Sequence, residues 1–92
     1  MTHSATVIHQ ADELGTLLRA GALPRLGLVD VGGGSRLSFA LAVGATLNDL
    51  ARLAARADAG DAVDTDRWRL LREDVERLHR LTVAARVPRV RA

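Results

Sequence analysis

Few residues in this chain are of a type that does chemistry, and none has the spacing that a catalytic or metal site requires. There is no cysteine, and the three histidines are His3, His9 and His79. No two histidines lie four apart on one helix face, and no carboxylate pair is framed by apolar residues, so we predict neither a metal site nor acid–base catalysis. No motif around the serines would activate a nucleophile. We therefore expect a non-catalytic protein without a cofactor.

One glycine-rich stretch, LVDVGGGSR, is similar to the first glycine motif of S-adenosylmethionine-dependent methyltransferases. Arg36 occupies the place of that motif's last glycine, and Leu37 occupies the third glycine position of G-x-G-x-x-G. A chain of 92 residues is also too short for the many-stranded sheet of those enzymes. The interpretation that we prefer is the loop of a β-hairpin.

Arginine supplies all thirteen basic residues, and these are unevenly distributed. Residues 67–92 contain eight arginines and three acidic residues, whereas residues 1–66 contain five arginines and eight acidic residues. The arginines that follow Glu76, with no acidic residue among them, are predicted to contact nucleic acid or an acidic partner. They are Arg77, Arg80, Arg86, Arg89 and Arg91. Because no aromatic residues are interleaved, base stacking is not expected.

The three glycines also divide two apolar runs, which predict a hairpin over residues 26–43. A three-residue loop places Val31 opposite Ser35 and Val29 opposite Leu37. This register keeps Asp30 off the apolar face, where an unpaired carboxylate would be costly. Residues 35–43 also fit the face of a helix, so a helix remains the alternative to the second strand.

Helices are predicted over residues 11–20, 46–58 and 65–87, and the β-prone residues 5–10 are able to add an edge strand. Gly21 is placed to cap the first helix, and Asp64 or Thr65 to begin the last. The expected fold is a small α+β domain with an antiparallel sheet. It comprises residues 1–92 as one domain, in which residues 65–92 form a helical arm with a basic tail.

The last helix carries an apolar seam with spacings of three and four residues. At about 1.5 Å per residue the helix is about 33 Å long, which is longer than a domain of this size is wide. The seam either docks on another chain, with Trp68 as the anchor, or folds back over the apolar face of the hairpin. The predicted partner-binding residues are Trp68, Leu71, Val75, Leu78 and Leu81.

The order of elements resembles the Phd/YefM (prevent-host-death) antitoxins of bacterial toxin–antitoxin pairs. The matching stretches are ADELGTLLRAG, the turn at Gly32–Gly34, and SRLSFALAV. Arg36 matches the basic residue that often follows the turn in that family. The resemblance implies a dimer that binds operator DNA through its N-terminal halves, regulates transcription, and neutralises a toxin through its C-terminal region. Here the N-terminal half is acidic and the C-terminal half basic, which departs from that pattern.

We therefore expect a dimeric regulatory protein whose C-terminal helix binds a protein encoded nearby. The alternatives are a self-assembling structural protein that pairs through the seam, and a nucleic-acid-binding protein that uses the C-terminal arginines. Small size favours oligomerisation. Because neither a signal peptide nor a membrane-spanning run is visible in the sequence, we expect a cytoplasmic protein without membrane contact.

Overall fold

The computed structural model describes residues 2–31 and 34–86, which form three helices and one hairpin. In chain order the elements are α1 (Thr2–Arg19), β1 (Leu28–Val31), β2 (Ser35–Ser38), α2 (Phe39–Asp58) and α3 (Thr65–Arg86). The two strands form an antiparallel sheet. The structure thus confirms a small α+β fold with a long C-terminal helix.

The hairpin has the predicted register, although it is shorter than predicted. Val31 pairs with Ser35, and Val29 pairs with Leu37. Gly34 has a φ of 80°, a left-handed conformation that glycine adopts without steric cost. The other two loop glycines lie outside the described residues. The ladder spans Leu28–Val31 and Ser35–Ser38 rather than the predicted residues 26–43.

The prediction that the second strand continues to Val43 is wrong, because α2 begins at Phe39. Phe39, Ala42, Val43 and Thr46 are buried, and their spacings of three and four residues are those of one helix face. Leu41, which belongs to the apolar face in the strand interpretation, is 63% exposed. Burial of the helical face therefore decides the conformation, and the predicted helix begins at Phe39 instead of Thr46.

The predicted edge strand over residues 5–10 is also wrong, because these residues belong to α1. Val7, Ala11 and Leu14 lie on the buried face of this helix. Packing of that face outweighs the weak β-propensity of residues 5–10. At the other end, Gly21 has a φ of 66° and its N–H donates to the Leu18 carbonyl at 3.1 Å. This confirms the predicted glycine cap.

α3 begins where predicted, since the Asp64 carboxylate accepts a hydrogen bond from the Arg67 N–H at 3.1 Å. The helix packs across α1 and α2, while the hairpin packs mainly on α2. Its seam residues Val75 and Leu78 join Leu14 in the hydrophobic core. The predicted status of residues 65–92 as an arm stays a prediction, and residues 87–92 lie outside the described part. Within residues 2–31 and 34–86, no helix is long and apolar enough to span a membrane.

Candidate functional site

The structure places the predicted partner-binding residues in two environments. Leu71, Val75 and Leu78 are at most 3% exposed, on a helix that packs against α1 and α2. Trp68 is only partly buried, and Leu81 is 37% exposed. Of this set, Trp68 and Leu81 are therefore the side chains that a partner reaches without opening the domain.

Three of the predicted nucleic-acid contacts, Arg77, Arg80 and Arg86, lie on α3. The Arg77 guanidinium donates to the Asp30 carbonyl at 2.6 Å, and Arg86 lies 3.9 Å from the Glu13 carboxylate. Arg80 is exposed. The remaining two, Arg89 and Arg91, lie outside the described residues. Arg77 and Arg86 thus have partners within the domain.

The candidate site is a groove of about 530 Å³ between α1 and α2, which Trp68 of α3 also lines. We call it the Trp68 groove. Its floor and walls are mostly apolar, and its rim holds three polar residues of α1. The apolar lining comprises Ile8, Ala11, Gly15, Leu47, Leu50, Ala51, Ala54 and Trp68, and the polar rim comprises Asp12, Thr16 and Arg19.

One row of α1 side chains faces this groove. Ile8, Asp12, Gly15 and Arg19 are spaced by four, three and four residues, so they share one helix face. Ile8 is 55% exposed. A Cβ built on Gly15 would lie 3.7 Å from the Leu47 side chain and 3.3 Å from the end of Arg19. A side chain at Gly15 would thus contact Leu47 and press against the end of Arg19.

A second depression of about 240 Å³ continues the Trp68 groove along α2. The two share Ala54 and Trp68. The second is lined further by Leu53, Ala57 and Val63, and Val63 is 47% exposed. Trp68 therefore lies at the centre of one continuous apolar strip.

Polar contacts hold the helices on either side of the groove. Arg67 donates to the Asp49 carboxylate at 2.8 Å, which connects α3 to α2 beside Trp68. His79 Nε2 lies 3.1 Å from Glu13 Oε1, which connects α3 to α1. These contacts join α3 to each of the two helices that form the groove. Among the described residues, no group of three or more metal-ligating side chains is arranged to hold a metal ion.

Burial gives one carboxyl group of α3 an altered proton affinity. Desolvation raises the pKa of Asp74, and the nearby Arg77 guanidinium opposes this rise. Arg77 lies 3.2 Å from that carboxylate and also holds the hairpin carbonyl. Asp74 is thus part of the contact between α3 and the hairpin.

The groove-lining residues of α1 and α2 are absent from the sequence-based prediction. The sequence predicts an edge strand at Ile8 and places Leu47 and Leu50 in the helix over residues 46–58, without identifying any of the three as a site residue. The one available signal is the second face of α1, on which Ile8, Ala11 and Gly15 recur at spacings of three and four. That signal requires the correct helix start to be known first.

In comparisons with known proteins, no protein family, no curated protein and no solved structure matches this chain.

Proposed function

We propose that the protein is a non-catalytic regulatory protein, similar in action to an antitoxin, that works by binding an α-helix of another polypeptide in the Trp68 groove. The observation that supports this most directly is the apolar strip around Trp68, exposed on the surface of a small domain. Apolar grooves between helices are a common receptor for amphipathic helices. Trp68 is of the residue type that most often anchors such contacts.

The surroundings of the groove agree with a polypeptide ligand. The floor carries small residues such as Ala11 and Gly15, which allow a helix to approach closely. The rim provides both charge signs through Asp12 and Arg19, which suits the mixed polar edge of a protein interface. We propose a cytoplasmic location, in keeping with the absence of cysteine.

The proposal is tested by co-expressing the chain with the product of each neighbouring gene and measuring the mass of the purified complexes. Ile8→Glu places a charge in the groove at a position that is 55% exposed in the domain. We expect this variant to remain folded and to lose the partner. Leu41→Glu is the matched control, since Leu41 is 63% exposed on α2 and does not line the groove. Equal binding by both variants would reject the groove as the binding site.

A further inference from the structure

We infer that the polypeptide held in the Trp68 groove is a second copy of this chain, with α1 of each copy lying antiparallel across α1 of the other. This inference rests on the proposed function, because it names the partner of the same groove. Three features support it: the charges on the groove face of α1, the position of a glycine between them, and the surface area that one chain exposes.

The charges on this face are complementary to themselves under a twofold rotation. Asp12 and Arg19 both line the groove and are two helical turns apart, about 10 Å along the axis. That separation is too long for an ion pair within one helix. A twofold axis between Gly15 and Thr16 places Asp12 of each copy opposite Arg19 of the other. Isologous dimers require such self-complementary surfaces.

The same axis passes beside Gly15, the residue of this face without a side chain. A glycine inside a helix destabilises the helix relative to alanine, because the glycine backbone loses more conformational entropy on folding. A Cβ at Gly15 would lie 3.7 Å from Leu47 and 3.3 Å from the flexible end of Arg19, so the domain accommodates alanine once that end shifts by a few tenths of an ångström. Close approach of a second α1 at this point accounts for the glycine.

The exposed area is sufficient for a stable dimer. The chain exposes 6594 Å², whereas a compact monomer of 9.8 kDa exposes about 5,200 Å². A standard interface covers roughly 800 Å² on each partner, so the chain exposes enough surface to form one. The exposed side chain of Ile8 lies on the groove face and becomes covered in this arrangement.

A charge exchange tests the pairing, with the molecular mass measured by sedimentation equilibrium over a range of protein concentrations. We expect the unmodified chain to be a dimer. Asp12→Arg alone and Arg19→Asp alone each place like charges opposite each other, and the dissociation constant is expected to rise about tenfold or more. The double variant restores opposite charges and is expected to return to the original value. Failure of the double variant to recover would overturn the pairing.

A pair of glycine variants separates dimerisation from folding. Gly15→Ala adds a methyl group at the proposed crossing point, whereas Gly44→Ala adds one in α2, where the nearest atom is a Leu18 methyl at 3.8 Å. Both changes favour the helix, so neither is expected to unfold the domain. We expect only Gly15→Ala to weaken the dimer. Equal dissociation constants for the two variants would overturn the inference.

The outcomes also distinguish the inference from the proposed function. A chain that is monomeric at every concentration overturns the dimer; if Ile8→Glu then still abolishes binding of a co-expressed partner, the groove retains its proposed function. A dimer that none of the groove substitutions weakens is formed by another surface and overturns the inference. Because the groove holds one helix at a time, both proposals are supported if Ile8→Glu loses both complexes and the co-expressed partner displaces the second copy. A partner that binds the intact dimer occupies another surface and overturns the proposed function.

Discussion

At the scale of single residues, Asp74 shows how burial makes a charge unfavourable. Its side chain is 19% exposed and lies 3.2 Å from Arg77, yet desolvation outweighs this attraction and raises its pKa. The folded state therefore binds the Asp74 proton more tightly than the unfolded state does. The stability that comes from protonated Asp74 is fully present below the unfolded pKa of 3.8. It is lost as pH rises through the raised pKa of the folded state.

We predict that Asp74→Asn increases the free energy of unfolding relative to the unmodified chain, and that this increase grows as pH rises from about 4 to about 7. The amide keeps the shape of the side chain and has no charge to desolvate, while Arg77 retains its bond to the hairpin. Urea unfolding of both proteins at the two pH values measures the difference in free energy of unfolding. Asp66→Asn is the control, because Asp66 is 80% exposed and its substitution is expected to change stability by no more than about 0.5 kcal/mol at either pH. A difference for Asp74→Asn that shrinks toward neutral pH would contradict the prediction.

At the scale of elements, Arg77 connects the long helix to the hairpin. Its guanidinium donates both to the Asp30 carbonyl and to the Asp74 carboxylate, at 2.6 and 3.2 Å. Arg77→Met keeps much of the aliphatic stem and removes these bonds. We predict a loss of about 1 kcal/mol and faster amide hydrogen exchange in β1 and β2. Arg80→Met, at an exposed position on the same helix, is expected to leave the exchange unchanged; similar exchange in both variants would show that Arg77 does not hold the hairpin.

The elements also show what the sequence is able to predict. The hairpin register follows from the free-energy cost of burying the Asp30 carboxylate. The end of α1 follows from Gly21 and the start of α3 from Asp64, because each of these residues acts locally. The start of α2 is not a local property, since the residues around Phe39 fit both a two-residue and a 3.6-residue period. The choice between strand and helix depends on which apolar face is buried by the rest of the domain. Here α1 and α3 pack against α2, so the helical face is the one that is buried. The Trp68 groove was missed for the same reason, as it is formed by the separation of two helices.

At the scale of the whole molecule, the domain is elongated. Its radius of gyration is 14.1 Å, compared with about 12 Å for a compact chain of this length. The principal extents are 53 × 29 × 23 Å. For a given length, an elongated shape buries less apolar surface than a compact one. We therefore expect association to add a share of the stability that one copy alone does not have.

Association through the Trp68 groove therefore predicts that the thermal midpoint depends on protein concentration. Because only the folded state dimerises, each tenfold increase above the dissociation constant adds about 0.7 kcal/mol per monomer. For a domain of this size that corresponds to a rise of about 3 to 6 °C. Calorimetry over a hundredfold concentration range measures the effect in the unmodified chain and in Ile8→Glu, for which we expect a constant midpoint. Because unfolding of a monomer is independent of concentration, a constant midpoint in the unmodified chain would show that its stability is that of one copy alone.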